Sequence, residues 1–233
     1  MHNLPTNSPA INFINDLRKR ANQNVLWGVR EIQNFIDQAK RIEISRDEQC
    51  CGATLHRGYY HPSPVYDLIV GNTKRGRLSS KSNHPLSHRF YFDCEDRLVR
   101  IEYLHAEQIS HIEYLNYCGQ SVKGITVDRN GFLSAVTEER YPHNRISFFS
   151  IVRCYHVAGG DQCLDYHEEE YHYDNLGLSK CHFVNFTPKS GYLVDRTYTF
   201  DRDNGFLVAF SPEPADMPPE QQSKYTIKKK RKA

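Results

Sequence analysis

The sequence predicts an α+β fold: an N-terminal helical segment followed by a curved, mostly antiparallel β-meander. Three observations carry the prediction. Apolar residues recur at three- and four-residue steps near the N-terminus. That period disappears from about residue 53. From there to residue 210, short apolar–polar alternations are punctuated by Asp and Gly. The organisation that follows is a helical segment over 1–45, a sheet domain over 46–210 and a flexible Pro-rich and basic tail over 211–233.

The helical segment begins at Ser8-Pro9, a capping residue followed by a proline suited to the first helical position. Ile11, Ile14, Leu17 and Ala21 share one side of a helix; Asn22-Gln23-Asn24 interrupts them. Val25, Val29, Ile32, Ile36 and Ala39 then form a second stripe, with Trp27 and Phe35 beside it. The pattern fits two short helices or one long bent helix, ending near Lys40–Ile44. The stripe is expected to dock on the sheet, because an exposed one invites aggregation.

The sheet is predicted from a phrase that recurs. FYFDCEDRLVRIEYL (90–104), ITVDRNGFLSAVT (125–137), YHYDNLGLSKCHFV (171–184) and TYTFDRDNGFLVAF (197–210) share one plan. An aromatic or β-branched residue precedes an Asp, a Gly or Asp follows shortly after, and an apolar residue opens the next strand. Asp93, Asp128, Asp174 and Asp201 can accept backbone hydrogen bonds at a turn entrance. Gly131, Gly177 and Gly205 permit the positive φ that closes a hairpin, and Asp96 stands in for glycine in the first copy. HIEYLNY (111–117), ISFFSIVRCY (146–155) and GYLVDRTYTF (191–200) supply further strands. In the last of these Tyr192, Val194, Arg196, Tyr198 and Phe200 share one face and Leu193, Asp195, Thr197 and Thr199 the other, so one face packs and the other is wet. The spacing of the hairpins suggests about eight to twelve strands, and KRGRLSSKSNHPLSHR (74–89) reads as a long polar loop or irregular hairpin.

Composition narrows the function classes. Of the 233 residues, 39% are hydrophobic and 12% aromatic, enough for a packed core rather than a disordered chain. The net charge of +2 gives no global field toward nucleic acid or anionic lipid, and the basic residues concentrate in KKKRK (228–232). That run and the tyrosines could contact phosphates and bases, but Asp and Glu interleaved through the sheet disfavour nucleic acid as a partner. No stretch reaches the roughly 18 apolar residues of a membrane helix, and the first residues lack the apolar core of a signal peptide. A cytoplasmic protein with no membrane partner is expected. Its seven cysteines, scattered and without a C-x-x-C pair, read as buried or half-buried thiols.

No catalytic signature emerges: no G-x-S-x-G elbow, no phosphate loop in GNTKRG (71–76), and no partner fixed by sequence for His143 or His156. No catalytic residue and no cofactor is assigned. The densest polar cluster is DYHEEEYHYD (165–174). Its histidines, His167 and His172, are five apart and point to opposite faces of a strand, whereas Glu168, Glu170 and His172 share one. The cluster reads as a solvated acidic hairpin edge that resists pairing with other chains. It also gives the candidate partner-binding surface, Glu168, Glu169, Glu170, Tyr171 and His172. An alternative is a metal-dependent enzyme or binder built around His167–His182, with His182 beside Cys181 approaching across a hairpin.

The repeated phrase resembles the YD repeat of bacterial RHS proteins, most closely at Tyr171-His172-Tyr173-Asp174-Asn175-Leu176-Gly177-Leu178 and at Phe90-Tyr91-Phe92-Asp93 with Arg97-Leu98. The resemblance covers about a quarter of the chain. Its copies are irregular, with successive Asp residues 35, 46 and 27 apart (93 to 128, 128 to 174, 174 to 201). It implies hairpins assembled into a β-rich wall. A small chain with such hairpins and a helical start also looks like an immunity protein of a polymorphic, RHS-type toxin system. That implies a non-catalytic antitoxin whose partner is its cognate protein toxin. An RHS-related structural repeat protein without a toxin partner is the other implication.

Overall fold

The computed structural model describes residues 9–71, 73–78, 85–157, 159–203, 206–212 and 225–232. Ser8 and Gly205 therefore lie outside the described residues. The N-terminal pattern resolves into one helix, α1 (Pro9–Arg41), with Pro9 as its first residue and Lys40 and Arg41 in its last turn, where they complement the helix dipole. The polar run at residues 22–24 does not break it, because Asn22 and Gln23 face solvent.

The buried line of α1 is rotated from the expected one. Leu17, Ala21, Val25, Gly28 and Phe35 are buried with Ile32 packed against them, whereas Val29 is exposed. Gly28, with no side chain, gives no hydrophobic signal. Yet a Cβ there would sit 2.5 Å from Val136 Cγ2 and 3.0 Å from Leu133 Cδ2, so its absence lets the helix approach the sheet.

Among the described residues thirteen strands make one antiparallel sheet, one more than the upper end of the expected range. They are β1 (Arg46–Cys51), β2 (Arg77–Leu78), β3 (Leu86–Phe92), β4 (Leu98–His105), β5 (Gln108–Cys118), β6 (Ser121–Asp128), β7 (Leu133–Arg140), β8 (Phe148–Val157), β9 (Gly160–Asp174), β10 (Gly177–Thr187), β11 (Tyr192–Asp203), β12 (Phe206–Pro212) and β13 (Tyr225–Lys232). From β3 to β13 every spatial neighbour is a sequence neighbour; only β1 departs, inserting between β3 and β2. The segment 74–89, expected as a long polar loop or irregular hairpin, contributes β2 and the start of β3, which both pair with β1 rather than with each other; residues 79–84 lie outside the described residues. The alternation boundary at residue 210 is exceeded too: β12 continues to Pro212, and β13, from the expected tail, pairs antiparallel with it.

The sheet is covered on both faces. Thirteen strands at about 4.8 Å spacing span about 58 Å, and the 33 residues of α1 rise about 50 Å, long enough to cross much of that width. The helix lies over β5–β9 and closes a core with Ile125, Val136, Val152, Tyr166 and Phe186. The opposite face is roofed by the connection from β1 to β2, which carries a single 3₁₀ turn (Gly58–Tyr60) and the short helix α2 (Tyr66–Val70). Val65, Tyr66, Leu68 and Ile69 pack on Phe149, Ile151, Phe183 and Tyr198, while Tyr60 packs on Phe90 and Phe92. The expectation of one packed and one wet face fails in the sheet centre for this reason. Even in β11, Leu193, assigned to the wet side, packs against the helix-side core.

The turns repeat one hydrogen-bond pattern. Asp93 Oδ1 accepts from the N–H groups of Glu95 (3.0 Å) and Arg97 (2.9 Å), and Asp128 Oδ1 accepts from those of Asn130 (2.8 Å) and Phe132 (3.0 Å). Asp96 and Gly131 occupy the same left-handed position, at φ 60° and 84°. Asp174 accepts from Leu176 N–H (2.8 Å) ahead of Gly177, and both its oxygens also receive Arg202. Asp201 falls at a register shift between β11 and β12.

Replacing Gly28 with Leu tests the helix–sheet contact. Helix propensity alone favours the change by roughly 0.8 kcal/mol. The crowding at Val136 and Leu133 is expected to outweigh it and give a net loss of about 1–3 kcal/mol in urea unfolding. A stabilised variant would contradict the close approach.

Candidate functional site

The chemistry-bearing side chains gather under the roof, on the face opposite α1. β9 is an interior strand between β8 and β10, so the cluster at residues 165–174 is not a hairpin edge. Tyr166, His167, Glu168 and Glu169 are all buried, because α1 covers one face of the strand and the roof covers the other. Glu168 lies on the helix face, where Arg20 Nη1 reaches both its oxygens at 3.0 and 2.7 Å. Glu169 lies on the roof face and is fully buried. It accepts from Ser63 Oγ (2.6 Å) and Tyr171 Oη (2.7 Å), and its other oxygen is 2.7 Å from His167 Nε2. Ser63 Oγ in turn accepts from the Tyr66 N–H at 2.9 Å, at the start of α2.

The expected binding surface is corrected accordingly. Glu168, Glu169 and Tyr171 are internal ties, and only Glu170 and His172 of the five candidates face solvent. The histidines do not converge. His167 is under the roof, while His182 pairs in register with Glu170 and bonds Asp195 Oδ1 at 2.6 Å. Cys181 is buried with its sulfur 3.8 Å from Glu169 Oε2, and burial followed by the Glu169 charge pushes its thiol pKa up, away from reactivity. Among the described residues no group of three or more His, Cys, Asp and Glu is arranged to hold a metal ion. The cysteines are free, with Cys94 and Cys118 exposed rather than buried.

The centre of the roof is Arg57, which sequence reasoning missed. It is 2% exposed and adopts φ 55°, unusual for a residue with a side chain. Its guanidinium donates to Glu113 Oε1 from Nε (2.9 Å) and Nη2 (2.7 Å), to Thr137 Oγ1 (2.6 Å) and to Glu139 Oε1. Burial pulls its pKa down, but the charges of Glu113 and Glu139 more than reverse this and hold it well above the ordinary value. Glu113 also accepts from Tyr103 Oη (2.6 Å), and Glu139 from Tyr141 Oη. Gly124 makes room for the cluster: a Cβ there would fall 2.9 Å or less from Thr137 Oγ1, Glu113 Oε1 and Arg57 Nη2. The only sequence signal is Glu113, Thr137 and Glu139 at packed strand positions, since nothing marks Arg57 as their partner.

Three histidines share the space. His56, His61 and His88 have pKa values lowered chiefly by burial, His88 to about 4 despite the opposing pull of Glu113. His88 is stacked on Phe90 with 5.8 Å between ring centres and serves as an apolar ring.

At the other extreme, four of the ten exposed large apolar side chains among the described residues lie toward one end of the sheet, while Leu26 and Leu176 are exposed elsewhere. Ile109, Phe132 and Tyr192 lie beside the β4–β5, β6–β7 and β10–β11 turns and Leu164 on β9 four residues beyond its start, each at least 40% exposed. The row from β5 to β11 crosses six strand gaps, about 29 Å. Phe132 is stacked on His156 at 4.0 Å, and Asp161 holds that imidazole at 2.7 Å.

Comparison with known protein families and with curated protein sequences finds no match. Nothing in these comparisons points to a catalytic activity. No described helix is long and apolar enough to cross a membrane.

Replacing Arg57 with Met strands two buried carboxylates and is expected to cost about 3–5 kcal/mol in denaturant unfolding. Adding Glu113→Gln and Glu139→Gln to that variant should recover much of the loss. A single variant as stable as the parent would remove the clamp from the account. For pH the sign is fixed by the lowered folded-state pKa values. The unfolded chain gains protons below about pH 6.5 that the folded chain refuses, so stability is full above that pH and falls toward pH 4. His88 alone contributes a loss on the order of 3 kcal/mol over that window. His88→Phe should flatten the slope between pH 6.5 and 4, as read by urea midpoints; an unchanged slope would assign the acid sensitivity elsewhere.

Proposed function

We propose that this chain is a non-catalytic cytoplasmic immunity protein that binds and neutralises a cognate bacterial toxin domain. The observation that carries the reading is the division of its side chains. Those with chemical potential, Glu169, His167, Ser63, Tyr171 and Arg57, are spent on internal hydrogen bonds under the roof. Large apolar side chains stand exposed along one end of the sheet, in a row whose length suits a protein interface. The YD-like phrase places the chain beside RHS-type toxins by resemblance. The anchoring surface in this reading is Phe132 with Leu164, flanked by Ile109 and Tyr192. A pre-stacked Phe132–His156 pair offers a rigid aromatic contact at low entropic cost.

Co-expression with the toxin domain encoded beside its gene tests this. The parent chain should co-purify with that domain and protect cells from it. Phe132→Asp with Leu164→Asp should weaken binding by about 30-fold or more while leaving the thermal midpoint in place. Glu170→Lys with His172→Glu separates the exposed part of the acidic segment from the apolar row. Protection by the Asp double variant at parental level would move the interface elsewhere, and no binding by the parent chain would overturn the immunity reading.

A further inference from the structure

At the opposite end of the sheet, a groove of about 420 Å³ opens between the β5–β6 turn and the β7–β8 loop, lined by Tyr117, Gln120, Val122, Glu139, Tyr141 and Asn144. We propose that this groove receives a cationic side chain, an arginine or lysine presented by a protein partner, held between the two tyrosine rings and the Glu139 carboxylate. It goes beyond the partner-binding surface at the other end of the sheet, and rests on that reading only for its occupant being part of a protein.

Charge carries the argument. Arg57 is one guanidinium set against two buried carboxylates, Glu113 and Glu139. The imidazoles nearest Glu113, His56 and His88, have their pKa values lowered by burial and add no positive charge at neutral pH. The cluster thus sets two carboxyl groups against one guanidinium, and Glu139 is the member that reaches the groove. One Glu139 oxygen receives Arg57 and the other receives Tyr141 Oη, which leaves acceptor capacity on both. A carboxyl group that shares its one guanidinium with a second and keeps free acceptor sites suits a further cationic donor, and a guanidinium matches a carboxylate's two oxygens best.

The walls agree. Tyr117 and Tyr141 present rings whose faces attract cations, and burial raises both phenol pKa values, Tyr117 to about 12, so both stay neutral. The fold already uses this contact. Arg97 Cζ lies 5.5 Å from the Tyr117 ring centre while paired to Asp93 and Glu95. Arg46 over Phe92 at 3.7 Å and Arg100 over Tyr91 at 3.9 Å are closer examples of the same contact. Asn144, which lines the groove, holds a left-handed conformation at φ 60°, as does its chain neighbour His143 at φ 55°. That backbone is costly for side-chain-bearing residues and is characteristic of ligand clamps. Asn144 and Gln120 both line the groove.

The test uses the chain alone, so it can fail without the immunity reading failing. N-acetyl-arginine methylamide is titrated and followed by NMR amide shifts, with N-acetyl-citrulline methylamide as the uncharged probe of the same shape. The arginine probe should shift Gly119, Gln120 and Asn144 saturably and bind at least about tenfold more tightly than citrulline. Gln120→Lys, an exposed change that supplies a cation at the mouth, should abolish the preference, and Tyr117→Leu should weaken binding about fivefold. Equal binding of the two probes, shifts located elsewhere, or unchanged arginine binding by Gln120→Lys would each overturn the proposal. Toxin co-purification without an arginine-dependent shift would sink the groove and leave the immunity reading. The reverse outcome would keep the groove and sink that reading.

Discussion

The rest of the structure depends on the clamp that Arg57 makes with Glu113, Thr137 and Glu139. A sheet this wide needs both faces covered, and the helix covers only one. The other is closed by a connection with little regular structure, which packs Tyr60, Val65, Tyr66, Leu68 and Ile69 on the sheet. A buried guanidinium forked across β5 and β7 fixes where that connection sits. It does so at the cost of desolvating three charges, so the device specifies a position more than it adds stability. The left-handed Arg57 backbone and the open space at Gly124 are local concessions to the same contact.

A second tie acts further along the roof. Glu169 binds Ser63, the residue whose hydroxyl also caps the first turn of α2, so the helix is docked through one carboxylate. Arg75 strengthens the far side by donating to His61 O and Ser63 O and pairing with Asp67. On the opposite face Arg20 plays the matching part toward Glu168. Adjacent glutamates of one strand thus anchor opposite layers, which explains why an acidic run lies in the interior of the sheet. The acidic cluster that most resembled a surface became the seam of the molecule.

Function follows from what these ties leave outside. Once Arg57, Glu113, Glu139, His167, Glu168, Glu169 and the buried thiols are committed internally, two outward features stand at the ends of the sheet: an apolar row at one and a groove lined by Tyr117 and Tyr141 at the other. Both are built on hairpin ends held by a regular meander, so their spacing is set by the strand pitch rather than by flexible loops. Rigid spacing of that kind suits recognition of another protein, because little ordering entropy is left to lose on contact.

The sequence by itself determined the local half of this protein. The helical period fixed α1, the Asp–Gly phrase fixed the turns at Asp93, Asp128 and Asp174, and alternation fixed most of β3 to β12, because each is a property of residues a few positions apart. It failed where the deciding neighbour is distant. RDEQCC carries too little alternation to announce β1, whose strand character comes from pairing with β3 forty residues away. Gly28 gave no sign of its place on the buried line, because its role is to leave space for Val136. Glu168 and Glu169 read as wet because a charged side chain is buried only when a partner arrives. Those partners, Arg20 and Ser63, are 148 and 106 residues away along the chain. Tertiary structure alone decided which charges were inside, since the free energy of burying a charge is set by the groups that meet it and not by its own neighbours in sequence.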